Sequence, residues 1–362
     1  MKKFCYYLFT IIIFLIVFSS CCVHQSGNNS GLPKFMVWDK EKSFGGNLSD
    51  EEVEAFYTKL KDHKIDAVFL AARNDTYKKI APIAKKIGIE IHTWRWTMIR
   101  PDKEFMETHK DWYAVNKNNE SCVDNPPYVD YYRWLCPNEP KVIEYLVNDY
   151  LELAKIDGIA GIHLDYIRYC DIFLPTILQR KYNLVQDHEM PEFDYCYCHR
   201  CREGFKKEFG YDPMDLQDSA SQEQWKEWRL KAVVNVANTI AEEVKVQTGK
   251  LVTAAVFPTP KMSVDMVRQD WGKFELDAVF PMLYNGFYNK EVEWIGQCVK
   301  EGITSMEYKK DLYAGIMIRH IQEPDQFKIV IKSVLDNGAK GVVFFSARNL
   351  TDEHLKIIKE YN

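Results

Sequence analysis

Basic runs are missing from this 362-residue chain, and its formal charge of −5 leaves no cationic stripe for a phosphate backbone, which argues against nucleic acid as a partner. No glycine-rich turn follows the first β-like run at residues 35–39, so the phosphate-cradling entry to a doubly wound dinucleotide fold is absent. The apolar run at residues 4–18 is short of the about 20 residues that a spanning helix needs. Carboxylates are also scarce where the later apolar runs end. That scarcity makes the few that occur there informative.

Lys2 and Lys3 precede the N-terminal apolar run and Ser19-Ser20-Cys21 closes it, the layout of a secretory signal with a small-residue cleavage site. Cysteine at the cut predicts a bacterial lipoprotein: residues 1–20 are removed and Cys21 is acylated, with Cys22 as the alternative acceptor. Residues 21–33 are polar and rich in Gly, Ser and Asn, as suits a flexible tether. The expected location is the bacterial cell envelope, at its periplasmic face or the cell surface, with the membrane held through the lipid.

Residues 34–362 are enough for one barrel domain. Short apolar, β-rich runs recur at 35–39, 67–72, 89–96, 161–167, 251–257, 278–284, 313–318 and 342–346. Helical patterns lie between them, at 50–61 after Ser49 as cap, 77–87 ending at Gly88, 141–155, 222–247, 289–300, 324–337 and 352–361. Strand and helix alternating at this count predict a parallel sheet closed as a (β/α)8 TIM barrel, with the open doubly wound sheet as runner-up. About forty residues follow the third strand and about fifty follow the fourth before the next main helix. Loops of that length on the catalytic face predict a cleft beside strands three and four.

The segment 158–169 carries most of the chemistry: an apolar strand that breaks into Asp165, Tyr166 and Arg168. An unpaired buried carboxylate is costly, and an acid where a parallel strand runs out is where barrels place reacting groups. Alternation puts His163 and Asp165 on one face. Asp165 is therefore the leading catalytic candidate, with an ion pair to Arg168 as the structural alternative. Asp39 and Asp171 are the candidates for a second carboxylate, since glycosidic hydrolysis normally uses two. Glu192 and Asp194 lie farther off in the fourth loop. The other strand ends supply His92, Trp94, Trp96, Tyr284, Asn285 and Arg319, which with His163 and Arg168 form the candidate substrate-binding set. Aromatic residues in loops (Trp112, Tyr113, Tyr128, Tyr131, Tyr132, Trp134) suggest a surface for flat sugar rings, or simple loop anchoring. Asn138-Glu139-Pro140 looks like an acid/base tripeptide, but it opens a helix, and its composition is that of a helix start.

Cys196, Cys198 and Cys201 have the spacing of a structural zinc knuckle that lacks one ligand, and Cys170, Cys136 and Cys122 are candidates for it. Disulfides are the competing reading for an exported chain. Either would staple the fourth loop.

The stretch 158–171, followed by Phe193-Asp194-Tyr195-Cys196-Tyr197-Cys198-His199-Arg200-Cys201 and Phe205, resembles the bacterial glycosyl-hydrolase-like family 10 proteins, exported barrels with a similar Leu-Asp-Tyr-Ile-Arg-Tyr at the fourth strand. The entry Trp134-Leu135-Cys136-Pro137 is similar too. The cysteine run also resembles the zinc cluster of family 42 β-galactosidases, where an upstream cysteine completes the site. The chain has Cys170 where these relatives tend to have proline, which makes Cys170 the implied fourth ligand, with Cys136 still open. The resemblance implies carbohydrate cleavage and a structural zinc, with no organic cofactor. The expectation is thus a glycoside hydrolase acting on a polysaccharide or oligosaccharide, with Asp165 as nucleophile or general base. The alternative is a carbohydrate-binding lipoprotein on the same barrel that does not turn over.

Overall fold

A computed structural model of the chain describes residues 30–41, 49–216, 218–307 and 309–361. The signal segment, Cys21 and nearly all of the tether lie outside the described residues. The eight strands are β1 (Phe35–Lys40), β2 (Ala67–Ala71), β3 (Glu90–Trp96), β4 (Ile159–Asp165), β5 (Leu251–Val256), β6 (Ala278–Pro281), β7 (Asp311–Met317) and β8 (Gly341–Phe345). Each pairs in parallel with the next, and β8 returns to β1 with Phe35 beside Val342, so the sheet closes. The (β/α)8 barrel expected from the alternation is the observed fold.

The helices are α1 (Asp50–Lys61), α2 (Asn74–Ile87), α3 (Lys103–Thr108), α4 (Pro140–Ala154), α5 (Thr176–Lys181), α6 (His199–Phe209), α7 (Ser219–Thr248), α8 (Pro260–Val267), α9 (Glu293–Ser305), α10 (Pro324–Asp336) and α11 (Asp352–Glu360). Local chemistry sets several of their ends. Ser49 Oγ accepts from Glu52 N at 3.2 Å while Glu52 Oε2 accepts from Ser49 N at 2.9 Å, a reciprocal capping box that starts α1. Gly88, at φ 81°, closes α2 in the left-handed conformation that costs glycine least. Among the described residues no helix is long and apolar enough to cross a membrane.

Alternation along the strands divides the core into two shells. Met36, Trp38, Phe69, Trp94, Phe280, Tyr313 and Val343 fill the barrel interior. Val37, Val68, Ile91, Ile162, Leu164, Val252 and Val279 face the helices. Strands buried on both faces read as nearly continuous apolar runs, which is why they were legible. β4 begins earlier than the apolar run suggests and ends at Asp165, because Tyr166 turns to φ 50° and leaves the extended region.

The segments after β3 and β4 are long, as expected, but they are not structureless. The first holds α3 and the second α5 and α6. Isolated bridges join Tyr113 to Leu135 and Asn116 to Tyr195, so the two loops also pair with each other.

Candidate active site

Asp165 is the last residue of β4 and lies opposite Trp96 of β3. Its side chain faces the barrel axis, nearly covered, and both oxygens are occupied. Oδ2 accepts from Trp94 Nε1 at 2.9 Å and Oδ1 accepts from Tyr166 N at 2.7 Å. A hydrogen bond to a charged group contributes about 1.5–3 kcal/mol, so these two donors offset part of the cost of burial. The offset is incomplete. Desolvation pushes the carboxyl above its ordinary range, against the two donors and the charges of Arg168 and Lys40. A carboxyl raised in this way holds its proton more readily than a solvated one.

The layer beneath is aromatic and buried. Trp38 Nε1, a donor only, points at His163 Nε2 at 3.1 Å, so that nitrogen is unprotonated and Nδ1 carries the hydrogen toward Thr253 Oγ1 at 2.8 Å. Burial, then the neighbouring His92, hold His163 well below the usual imidazole range, so it is neutral. Phe69 and Phe280 pack at 4.5 and 5.0 Å from its ring. His163 therefore does not line the mouth as the sequence suggested. It fixes Trp38, whose ring lies 6.4 Å from that of Trp94. His92 sits lower still, stacked on Phe69 at 4.7 Å with Nε2 on Glu90 Oε2 at 3.1 Å, and has no access to a substrate at the mouth.

The Asp165–Arg168 ion pair, the structural alternative for this acid, is not formed. Arg168 Nη1 donates to Asp171 Oδ2 at 3.1 Å and to the carbonyl of Tyr169 at 2.8 Å. Its guanidinium lies within about 5 Å of the rings of Trp134, Tyr166 and Phe257. Burial opposes its charge, but Asp171 and nearby tyrosines more than compensate and keep it cationic. Asp171 is thus a buried counter-ion as well as a catalytic candidate. Asp39 is displaced from the site by parity: Met36 and Trp38 face inward, so Asp39 turns outward, where its charge is felt by Tyr57 of α1.

Parity also brings in a residue that the sequence reading passed over. Lys40 shares the inward face with Trp38, and its Nζ lies 5.4 Å from the ring of Trp94 and 5.5 Å from that of Phe345. The Met36, Trp38, Lys40 alternation was the available signal. Tyr284 stacks on Phe345 at 6.1 Å, and burial together with the charge of Asp165 pushes its hydroxyl well above the ordinary phenol range. Trp96 stacks on Tyr131 at 5.3 Å. Asn285 is buried, with Nδ2 donating to the Lys290 carbonyl, whereas Arg319 is exposed at the end of β7. Of the loop aromatics, Tyr113, Tyr132 and Trp134 are buried anchors, while Tyr131 is 40% exposed and open to a ligand.

The cysteine cluster forms with a different fourth member. Cys136, Cys196, Cys198 and Cys201 bring their sulfurs within 4.8 Å of one another, with Cys136 3.7 Å from Cys198 and 3.4 Å from Cys201. A tetrahedron with metal–sulfur bonds of about 2.3 Å has edges of about 3.8 Å, so the set fits a four-thiolate metal site. Cys170 is not part of it. Its sulfur is buried elsewhere, 3.9 Å from the carbonyl of Asp171. The seven described cysteines are all free thiols, so the disulfide reading is not met among them. Hydrogen bonds within the cluster drive the Cys198 thiol far below its ordinary range and push that of Cys201 above it, while burial raises that of Cys196. Glu139 is the N-cap of α4, accepting from Lys141 N at 3.0 Å. Its other partner is Arg200, beside the cysteines, so the acid/base look-alike is structural.

A separate cavity of about 520 Å³ lies between the fourth loop and α7. Its walls are tied internally by Asp194–Arg229, Glu189–Arg268 and Lys226–Asp265 pairs. It holds no counterpart of Asp165, and we place the candidate active site at the barrel mouth.

No protein-family model and no curated protein matches the chain. Solved structures match it in fold. The PgaB (BpsB) glycoside hydrolase domain from Bordetella bronchiseptica aligns over 91% of this chain and 100% of its own, at 12% identity and a TM-score of 0.69. Gan42B, a GH42 β-galactosidase from G. stearothermophilus, aligns over 90% of this chain and 55% of its own, at 10% identity and a TM-score of 0.63. The α-L-fucosidase isoenzyme 2 from Paenibacillus thiaminolyticus aligns over 91% and 48%, at 13% identity and a TM-score of 0.58. The chain thus spans the whole of the first and about half the length of the other two. What it shares with these glycoside hydrolases is the barrel.

Proposed function

We propose that this barrel is a glycoside hydrolase that cleaves O-glycosidic bonds in a polysaccharide or oligosaccharide, with Asp165 as the carboxyl on which turnover depends. The observation that carries the reading is Asp165 itself: an inward acid at the C-terminal end of a central strand, pushed up by burial and aimed by Trp94 and Tyr166. A group of that kind can protonate a leaving oxygen and then deprotonate water, while an ionised form can attack the anomeric carbon. Trp94, Trp96, Tyr131, Tyr284 and Phe345 supply ring faces beside it for sugars. The shared fold with glycoside hydrolases supports the reading.

The ion pair between Asp171 and Arg168 favours a second reading, a carbohydrate-binding barrel without turnover, because it occupies the other acid near the mouth. One experiment separates the two. Purified protein and its Asp165→Asn variant are screened against a glycan panel for both binding and reducing-end release. Release by the wild type and not by the variant supports hydrolysis; binding by both with release by neither supports the binding barrel.

In this proposal zinc occupies Cys136, Cys196, Cys198 and Cys201, and its role is to hold the two loops together rather than to take part in catalysis. The proposal also retains the lipid anchor on Cys21, which would hold the domain at the cell envelope by way of residues 22–33. Mass spectrometry of the mature N-terminus tests it, and an unlipidated mature form beginning elsewhere removes the anchor.

A further inference from the structure

Lys40 carries a charge that Asp165 feels but that no carboxylate among the described residues pairs with. It ends β1 on the inward face, exposed at the mouth, and its ammonium rests over two rings, at 5.4 Å from Trp94 and 5.5 Å from Phe345. Among the described residues no carboxylate lies within ion-pairing distance of it. The adjacent acid, Glu41, is committed to Arg73 at 3.0 Å and to Thr76 at 2.7 Å. Asp171, the other acid near the mouth, is held by Arg168. Arg319, at the end of β7, is likewise exposed and unpaired among the described residues.

The position of this charge is specific. The Trp94 indole has Lys40 over its face and Asp165 at its Nε1 edge, so one ring joins the free cation to the candidate catalytic acid. A neutral sugar stacking on Trp94 and Phe345 has no use for an ammonium spread across those faces. A sugar bearing a carboxylate or sulfate has. Its ring can take the faces once the lysine swings to the anionic substituent, exchanging a cation–π contact for a charge-assisted hydrogen bond, which is the stronger of the two. An anionic substrate brought next to Asp165 also needs a compensating cation there, and Arg168 is already spent on Asp171.

From this we infer that the substrate class is an anionic glycan, uronic-acid-containing or sulfated, whose charged group is read by Lys40. The inference rests on the carbohydrate reading above and not on turnover. Lys40 is a specificity-determining residue in it, while Asp165 carries the chemistry.

The test measures binding by calorimetry to oligouronates and sulfated oligosaccharides, each paired with its carboxyl-reduced or desulfated counterpart. Wild type, Lys40→Met and Asp165→Asn are compared. Methionine keeps the aliphatic stem over the rings and removes only the charge. The expected result is that wild type prefers an acidic member over its neutral partner by about tenfold or more, and that Lys40→Met brings that ratio below about twofold with little change for the neutral member. The carboxylate and sulfate arms tell which anion is read. The ratio should also fall with added salt. Equal binding of acidic and neutral partners, a preference unchanged in Lys40→Met, or no binding by any glycan overturns the inference. An acidic preference retained in Asp165→Asn, with no release by wild type, leaves the inference standing and rejects hydrolysis instead.

Discussion

Asp165→Asn keeps the size of the side chain while removing its charge, and its effect can be worked out from the two donors. Trp94 Nε1 and Tyr166 N both need an acceptor, and an amide offers one oxygen where the carboxylate offered two. One buried donor is left facing an NH2 group, at a cost of about 1–3 kcal/mol. Against this, the variant no longer buries a charge. The sign follows from linkage. Because the folded-state value of Asp165 is raised, its contribution to stability is present below the unfolded carboxylate value and is lost as pH rises through the folded one. The variant should therefore be clearly less stable than wild type in acid, and the gap should narrow toward neutral pH. Turnover per folded molecule should meanwhile fall by about 10²–10⁴-fold or more, the contribution usual for a positioned acid or base. Melting temperature across pH and reducing-end release are to be measured on the same preparations. A folded variant with near-normal turnover refutes the role of Asp165, and a stability gap that widens with pH refutes the account of its burial.

Cys136→Ser should lower metal content from close to one per chain to well below it and lower the melting temperature, whereas Cys170→Ser should leave the metal in place; elemental analysis of both decides between them. Asp171→Ala strands the buried Arg168 guanidinium and should cost about 3–5 kcal/mol by denaturant titration, with turnover per folded molecule within tenfold. A thousandfold loss in a folded Asp171→Ala would instead make Asp171 the second carboxylate. Trp94→Phe removes a donor to the charged form of Asp165, so the acid limb of the pH–rate profile should move to higher pH, and an unmoved limb would mean that Asp165 does not set it.

The barrel was legible because its strands are apolar on both faces and its helices start and stop at residues such as Ser49 and Gly88 with unambiguous chemistry. Asp165 was legible for a related reason: a charge interrupts a run that has no other use for one. What the sequence could not convey was depth. His92, His163 and Asp165 alternate identically, yet only the last reaches the mouth, because height along a barrel strand depends on the pairing of all eight. The partners of Arg168 and Cys136 were equally hidden. Asp171 lies three residues from Arg168 and Cys136 lies sixty residues before Cys196, and neither spacing distinguishes it from rivals that chain geometry leaves possible. Lys40 follows an acid at the end of a strand, where a lysine reads as ordinary solvated surface. The parity that turns Asp39 away is the same parity that turns Lys40 inward.

Between β3 and β4 the ladder slips: Ile91 pairs with Ile159, but His92 pairs with Gly161, leaving Ala160 without an opposite number. Ile159 packs outside the barrel and Asp165 points inside, although both are odd-numbered on one strand. The unmatched residue resets the phase between the floor and the mouth. The orientation of Asp165 is therefore independent of how the strand begins, and changes of length near Gly158 can be absorbed at Ala160 without turning the acid outward. Deleting Ala160 would give an unbroken ladder with Gly161 still opposite His92.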